Sequence, residues 1–213
     1  MKEYYVEPEF AHAKDTGIEF FYQSIVSESL VVSPHIHTSV EMLFIKEGSF
    51  RVITDNGEYI VHPGDTILFR SNTIHTVFLL DGENPGYYVL KVKPGNLLDF
   101  SSNSHGASYL LRLALSNKNE KTVWRSGEKS SYEIHNTLED IIRETTGKHY
   151  ASDIALKLYS AKMLLLVLRD IENEQMSKSA AGDNDENLVR RIYNSIVYIN
   201  SNYASDITAE QCG

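Results

Sequence analysis

The feature that most constrains this chain is a pair of histidines, His35 and His37, followed by Glu41 within residues 34–48. Side chains alternate between the two faces of an extended strand, so residues two apart point the same way. His35 and His37 should therefore share a face, and Glu41 should join them if the strand continues without a bulge. The spacing predicts a polar cluster on one face of a strand.

A later histidine, His75, follows the turn sequence at residues 63–65 by one strand and another turn. If the strand that carries His75 lies beside the first one, three imidazoles and one carboxylate converge in one cavity. Such a set suits a borderline divalent metal, and it suits an uncharged, hydroxyl-rich small molecule equally well. The candidate ligand-binding residues, and the candidate metal ligands, are His35, His37, Glu41 and His75. The sequence contains no catalytic triad, phosphate-cradling loop or paired-carboxylate site, so no catalytic residue is predicted.

Short runs of aromatic and β-branched residues, separated by turn-forming residues, fill the first half of the chain. The predicted strands are residues 20–26, 30–33, 43–45, 49–54, 59–61, 66–69, 76–80 and 87–92. Residues 55–58 predict a hairpin turn, and residues 81–86 predict a loop. Short strands at this spacing are typical of a sandwich or barrel, not of alternating βα units.

Helical periodicity replaces the strand pattern after residue 95. One or two short helices are predicted within residues 97–116, and a last short strand is predicted at residues 121–124. A helix is predicted over residues 130–145, and a longer one over residues 151–173.

The longer predicted helix carries a broad apolar stripe. Its members recur at spacings of three and four, at Ile154, Leu158, Ala161, Leu165, Leu168 and Ile171, and Leu164 and Val167 widen it. This width exceeds what one flanking face of a small barrel needs. We therefore expect a partner helix from a second copy of the chain, and hence a homodimer.

The C-terminal part of the sequence changes character twice. Residues 177–186 are polar, small and charged, and they predict a flexible linker. Helical periodicity then resumes, and Thr208 with Gln211 has the spacing of a capping box that opens another helix. Because Gly213 falls within the first turns of that helix, we expect this chain to be a fragment of a longer protein.

Two stretches of the sequence resemble the two motifs of the cupin superfamily. The first motif is matched by His35, His37, Glu41 and Gly48, and the second by Gly64, Asp65 and His75. Ser29 stands where the first motif usually has glycine, and Arg70, Asn72 and Leu79 stand where the second usually has proline, glycine and asparagine. The loss of that proline and glycine predicts a looser turn before His75. The resemblance covers roughly residues 20–95, and it implies an α+β fold, in which a cupin-like antiparallel β-barrel (a double-stranded β-helix) is followed by α-helices.

The C-terminal segment resembles the opening of the DNA-binding domain of AraC-type transcription regulators. A Tyr-Ile-x-x-x-Tyr pattern is matched by Tyr198, Ile199 and Tyr203, and an Ile-Thr pair by Ile207 and Thr208. In that family a cupin-like sensor domain comes first. The resemblance implies a cupin-like effector-binding barrel at residues 1–120, a helical dimerisation region at 121–176, a linker at 177–187, and the truncated start of a helix-turn-helix domain at 188–213.

The two resemblances together imply the effector-sensing and dimerisation domain of a bacterial AraC-type transcription regulator. Such a chain is not an enzyme; it binds a small molecule, a sugar by family resemblance, and reaches promoter DNA only through a domain beyond Gly213. The alternative is a metal-dependent cupin enzyme, a dioxygenase or isomerase, with the same four residues as metal ligands. A divalent metal is required only by this alternative.

The composition limits the classes of protein to which this chain can belong. The 213 residues carry 20 Lys and Arg against 29 Asp and Glu, a net charge of −9, which argues against broad nucleic-acid binding. One cysteine excludes a disulfide framework. The N-terminus lacks an apolar signal region, and the longest aliphatic run, residues 164–168, is too short to span a bilayer. We expect a cytoplasmic protein with no membrane partner.

Overall fold

The computed structural model describes residues 4–7, 17–26, 29–93, 120–147 and 149–178, with a few isolated residues further on. The strands are β1 Tyr5–Val6, β2 Ile18–Ser24, β3 Leu30–Ile36, β4 Val40–Thr54, β5 Gly57–Val61, β6 Thr66–Phe69, β7 His75–Val92 and β8 Val123–Trp124, and the helices are α1 Lys129–Gly147 and α2 Ser152–Lys178. The helices predicted within residues 97–116, most of the predicted linker, and the predicted helix-turn-helix start lie outside the described residues.

The two longest strands of the barrel, β4 and β7, pair with each other in antiparallel orientation. The first part of β4 also pairs with β6, and the last part pairs with β5. In the same way β7 pairs with β3 near its start and with β2 near its end. Each long strand therefore belongs to both halves of a double-stranded β-helix. The two helices follow the barrel in the sequence. The predicted fold class is confirmed.

The sequence predicted separate strands at residues 43–45 and 49–54, and this interruption was wrong. Pairing continues through β4, with register shifts on either side of Gly48. Gly48 has φ +84, and a Cβ there would lie 2.7 Å from Pro85 Cβ. Glycine is therefore required for a bulge that bends the strand without ending it.

The loop predicted at residues 81–86 was wrong for the same reason. β7 runs from His75 to Val92 and keeps its pairing with β4 across this stretch. The register of that pairing slips where Asp81 and Gly86 face the bulge in β4. Because bulges and turns favour the same residue types, a bent continuous strand and a hairpin look alike in sequence.

The strand β4 is apolar on both faces, and each face packs into a different core. Val40, Met42 and Phe44 contact an outer cluster, which both helices complete with Ile134, Leu138, Ile141, Met163, Leu164, Val167 and Ile171. Leu43 and Ile45 contact an inner cluster that fills the barrel with Phe50, Val52, Ile67, Phe69, Val77 and Val89. A strand buried on both sides reads as a continuous apolar run.

The predicted helices at residues 130–145 and 151–173 are confirmed as α1 and α2, although α2 continues to Lys178. The apolar stripe of α2 divides between two faces. One face is buried, and its buried residues are Ser160, Met163, Leu164, Val167 and Ile171. On the adjacent face Ile154, Leu158 and Leu165 are 56%, 55% and 44% exposed. Neither helix has a stretch that is long and apolar enough to cross a membrane.

A polar junction fastens α2 to the barrel. The indole of Trp124, fully buried on β8, donates a hydrogen bond from Nε1 to Asp170 Oδ2 at 2.8 Å. Lys121 Nζ lies 2.8 Å from the same oxygen and 2.6 Å from Glu128 Oε2. Because β8 pairs with β6, this junction connects α2 directly to the sheet.

Candidate functional site

The four residues predicted to cluster lie together at the centre of the barrel. His35, His37, Glu41 and His75 are all buried, and their ligand atoms lie within 4.8 Å of one another. His35 on β3 faces His75 across the pairing with β7. Glu41 lies on β4, on the other side of β7, and His37 follows the end of β3. Three neighbouring strands therefore bring side chains together from distant parts of the sequence.

Each histidine of the cluster is oriented by a backbone carbonyl. The Nδ1 atoms of His35, His37 and His75 lie 3.0, 3.0 and 2.9 Å from the carbonyl oxygens of Ser33, Ser39 and Thr73. A carbonyl can only accept, so Nδ1 carries the proton and donates it. In a neutral ring the Nε2 lone pair is then available to the centre of the cluster.

His37 lies between two acceptors. Besides its Nδ1 contact, its Nε2 lies 2.6 Å from Glu41 Oε2. A neutral imidazole has a single N–H and can satisfy only one of these contacts. A separation of 2.6 Å is that of a charge-assisted hydrogen bond, so both contacts are satisfied together only when both ring nitrogens of His37 carry a proton.

Glu41 is held as a carboxylate. Burial alone would raise its pKa, but the hydrogen bond from His37 and the charge of Lys91 hold the pKa well below its usual range. His35 shows the opposite response to burial. Burial, with the neighbouring His75, lowers the pKa of His35 from 6.5 to about 4, so this ring is neutral near pH 7.

His75 carries an acceptor that no described residue satisfies. Its Nε2 is buried without a hydrogen-bond partner, and it lies 3.5 Å from Glu41 Oε2. The ring stacks on Phe69 with centroids 4.0 Å apart and planes 12° apart. Because stacking fixes the ring, this unpartnered nitrogen has a defined direction, as expected of an atom that contacts a ligand.

The turn before His75 is well formed, contrary to the looser turn that the sequence predicted. Asn72 adopts φ 61, the left-handed region where the motif usually has glycine and which asparagine tolerates. Its amide donates to the carbonyl of His37 at 2.8 Å. Arg70 is buried and pairs with Glu120 Oε2 at 2.8 Å. The residues that replace the usual proline and glycine thus form an ordered turn before His75.

Two charged residues that the sequence analysis missed complete the cluster. Lys91 Nζ lies 2.6 Å from Glu7 Oε2 and 3.6 Å from Glu41 Oε2. Burial alone would lower the pKa of Lys91, but Glu41 and Glu7 raise it above its ordinary value. Lys91 is therefore a buried cation between two carboxylates. Glu7 Oε2 also lies 3.7 Å from His35 Nε2 and 3.9 Å from His37 Nε2.

The sequence held a signal for one of these two residues. Tyr87, Val89 and Lys91 alternate along β7 and all line the same cavity, so a lysine at an inward position of a strand was visible. Glu7 gave no such signal, because β1 pairs in parallel with β3, with Tyr5 opposite His35. Pairing between segments so far apart leaves no local pattern.

A cavity of about 180 Å³ opens onto the cluster. Its polar lining residues are Glu7, Gln23, His35, Glu41, His75, Tyr87 and Lys91, and its other lining residues are Tyr5, Phe21, Val31, Val32, Leu43, Phe69, Val77 and Val89. His37 does not line the cavity and supports Glu41 from behind. Burial and the charge of Glu41 raise the pKa of Tyr87, which therefore remains a neutral phenol. The cavity offers both donors and acceptors to a small molecule.

The donor set fits a divalent metal. Three imidazoles with anchored Nδ1 atoms and one ionised carboxylate are the ligands that borderline metals prefer. The Lys91 ammonium opposes a second cation, since it lies 3.6 Å from the carboxylate oxygen that a metal would use. The residues can hold such a metal, and Lys91 lowers their affinity for it.

Comparisons with known proteins agree with the fold. The family model of the cupin domain matches residues 11–90, a range that includes all four clustered residues. No curated protein sequence matches this chain.

Three solved structures illustrate the range of similar folds. Wild-type ToxT from Vibrio cholerae, bound to an unsaturated fatty acid, is similar at 16% identity and a TM-score of 0.47, covering 93% of this chain and 69% of that chain. The DMSP lyase DddQ from Ruegeria pomeroyi is similar at 18% identity and a TM-score of 0.33, covering 37% and 39%. An RmlC-like cupin family protein from Methanocaldococcus jannaschii is similar at 12% identity and a TM-score of 0.34, covering 37% and 72%.

Proposed function

We propose that this chain is the effector-sensing and dimerisation part of a bacterial AraC-type transcription regulator. A small polar molecule, a sugar or a relative of one, binds in the barrel through His35, Glu41 and His75, with His37 supporting Glu41. The observation that carries the proposal is the unpartnered Nε2 of His75 beside a small cavity. An acceptor of this kind is satisfied by a ligand hydroxyl.

The path from the cavity to the helices supports a sensing role. Glu41 and Lys91 face each other across β4 and β7, with both side chains at the cavity. Their strand neighbours, among them Met42 and Leu90, belong to the outer cluster under α1 and α2. A ligand that moves the inner side chains therefore acts on strands that also support the helices, and it can favour one of two arrangements of an attached domain.

The exposed face of α2 supports the dimer. Ile154, Leu158, Ala161, Leu165 and Leu168 follow one another at spacings of four, three, four and three, the repeat of a coiled coil. A second copy presents the same stripe, so a symmetric pair of helices covers both. The proposal includes a homodimer formed through this face.

A ligand screen by thermal denaturation tests the sensing function. A compound that binds only the folded protein stabilises it by about 2.7 kcal/mol at a hundredfold excess over its Kd. A compound that raises the melting temperature of the wild type should fail to do so for His75→Gln. His149→Ala, which changes an exposed histidine, should respond like the wild type. Hits that stabilise His75→Gln equally would place the ligand elsewhere and contradict the proposal.

The second candidate is the metal-dependent cupin enzyme, which the anchored Nδ1 atoms of the three histidines favour. A metal held by His35, His37, Glu41 and His75 would supply Lewis acidity toward a bound substrate. In that case the walls of the cavity orient the substrate and Tyr87 provides a neutral hydrogen-bond donor.

Metal analysis separates the two functions. Under the sensing proposal, protein purified without chelator contains less than one metal ion per chain, and EDTA removes it without unfolding the barrel. Elemental analysis together with circular dichroism before and after EDTA measures both. One tightly held iron, manganese or zinc per chain, coupled to turnover of a small substrate, would favour the enzyme instead.

A further inference from the structure

The carboxylate of Glu7 lines the cavity beside the polar cluster, and Glu7 directly follows the short strand β1. It lies 2.6 Å from Lys91 Nζ and within 4 Å of the Nε2 atoms of His35 and His37. The other carboxylate of the cluster, Glu41, comes from a central strand of the barrel. Among the described members of the cluster, Glu7 thus comes from a segment that precedes the barrel strands β2–β8.

The attachment of Glu7 is slight. It follows β1, a strand of two residues at the edge of the sheet that pairs with β3 alone. Val6 is 73% exposed, and the Glu7 amide donates to Ile36 O at 2.9 Å. Short edge segments with few buried contacts open at low cost. Withdrawal of the Glu7 side chain would therefore end its contacts with Lys91, His35 and His37 without breaking the pairing of the barrel strands.

The charge balance of the cavity defines what can replace Glu7. Without Glu7, Lys91 would keep Glu41 at 3.6 Å as its nearest carboxylate among the described residues. It would lose its hydrogen bond to Glu7 at 2.6 Å, and a buried donor that loses its acceptor is costly. A neutral sugar would not replace the carboxylate that Lys91 loses when Glu7 withdraws. A ligand carboxylate restores the contact and leaves the net charge of the cavity unchanged.

The two imidazoles that line the cavity define the rest of the ligand. His35 and His75 both donate from Nδ1 to a carbonyl, so their Nε2 atoms accept in the neutral form. A carboxylate cannot donate to them, whereas a hydroxyl next to it can. We infer that the cavity takes a small hydroxylated carboxylate, whose carboxylate displaces Glu7 from Lys91 and whose hydroxyl donates to His35 or His75. This inference rests on the proposed sensing function and specifies its ligand class.

The experiment uses glycolate, the smallest hydroxylated carboxylate, as a probe. Glu7→Ala leaves a carboxylate-sized space over Lys91 that glycolate should fill. We expect the variant to bind glycolate at least tenfold more tightly than the wild type, in which Glu7 competes for Lys91. Binding is measured by titration of the imidazole resonances of His35 and His75 in NMR spectra, with sodium chloride at equal ionic strength as the reference.

A matched variant and a matched probe complete the test. The double variant Glu7→Ala/Lys91→Met removes both charges together, so it keeps the net charge of the cavity and should lose glycolate binding. Acetate, which lacks the hydroxyl, should bind Glu7→Ala several-fold more weakly than glycolate. Glu7→Gln serves as a second variant, because it preserves the shape of the side chain if Glu7→Ala is poorly folded, and it too should bind more tightly than the wild type.

The outcomes distinguish this inference from the sensing function. Equal affinity of the wild type and Glu7→Ala would overturn displacement, and glycolate binding by the double variant would overturn the role of Lys91. Acetate binding as tightly as glycolate would overturn the hydroxyl contact. A thermal-denaturation hit that is a neutral sugar, with no glycolate response in Glu7→Ala, would overturn the carboxylate class and leave the sensing function standing.

Discussion

At the scale of single residues, the cluster is governed by which imidazole nitrogens carry protons. Carbonyl acceptors fix the Nδ1 protons of His35 and His75, and burial keeps His35 neutral by lowering its pKa to about 4. The rings therefore present acceptors to the cavity, next to the cation of Lys91 and the anion of Glu41. This combination of acceptor, cation and anion suits a ligand with more than one polar group.

The pKa of His35 predicts that the fold weakens in mild acid. A folded-state pKa of about 4, lowered from 6.5, means that the unfolded chain binds a proton first as the pH falls. The stabilisation is complete above pH 6.5 and declines between pH 6.5 and 4, by roughly 3 kcal/mol in all at about 1.4 kcal/mol per pKa unit. Urea denaturation at pH 7.5 and 4.5 measures the loss.

The variants His35→Asn and His149→Asn provide the comparison. The wild type and His149→Asn, whose side chain is exposed, should lose about 2 to 3 kcal/mol more than His35→Asn over this pH interval. Parallel losses in the wild type and His35→Asn would mean that the burial of His35 is not linked to folding.

The sequence predicted which four residues cluster better than it predicted the strands that carry them. The neighbouring strand with His75 was predictable because motif spacing is local. The expected single strand face for His35, His37 and Glu41 was wrong, because β3 ends at Ile36, His37 lies between the strands and β4 begins at Val40. The alternation along its strand also placed Lys91 on the inward face. Lys91 was missed because a lysine within a strand is usually exposed to solvent. Glu7 was not readable, because nothing local encodes the pairing of β1 with β3.

At the scale of elements, the fold joins stretches that the sequence separates. The glycines that bend β4 and β7 look like strand ends, so two continuous strands were predicted as four. Helix positions were predicted well, since α1 and α2 each repeat an apolar face over many residues. Which face of α2 is buried was not predictable, because its stripe is wide enough to serve two partners.

The exposed stripe of α2 predicts a monomeric variant. Leu158→Glu/Leu165→Glu places charges on the face that we propose to be shared, and we expect a folded monomer where the wild type is a dimer. Leu168 was a natural target from sequence, but it packs against the outer cluster, so its replacement would also test folding. Sedimentation equilibrium at high micromolar concentration measures the mass.

The matched control for the dimer is Asn173→Glu, an exposed position of α2 outside the stripe. It adds a charge to the same helix and should leave the dimer intact. A wild-type protein that sediments as a monomer would remove the basis for the proposed interface.

The junction between α2 and β8 predicts a loss of stability in Asp170→Ala. This change removes the acceptor of the Trp124 indole and one partner of Lys121. A lost hydrogen bond to a buried donor costs about 1 to 3 kcal/mol, and Lys121 keeps Glu128. Urea denaturation should show that loss, whereas Lys162→Ala, at an exposed position of the same helix, should stay within about 0.5 kcal/mol of the wild type. Equal stabilities would show that the junction contributes little.

At the scale of the whole molecule, one sheet separates two apolar cores. The inner core surrounds the cavity and the outer core holds the helices, and β4 and β7 contribute to both. A ligand site and a helical surface are therefore supported by the same strands. This arrangement fits the sensing role that we propose for the barrel.

The net charge predicts that residues 1–213 alone do not select a DNA sequence. A chain with a net charge of −9 repels the phosphate backbone of DNA. Contacts with the phosphates place a protein on DNA, and contacts with the bases then provide sequence specificity. We expect that a random DNA library incubated with this chain, at about 50 and 200 mM salt, yields retained fragments with no enriched motif. A DNA-binding protein of known specificity, incubated with the same library, provides the positive control, and it should enrich its own motif. A shared motif recovered with residues 1–213 alone, and lost as the salt concentration rises, would show that this part of the protein reads DNA by itself.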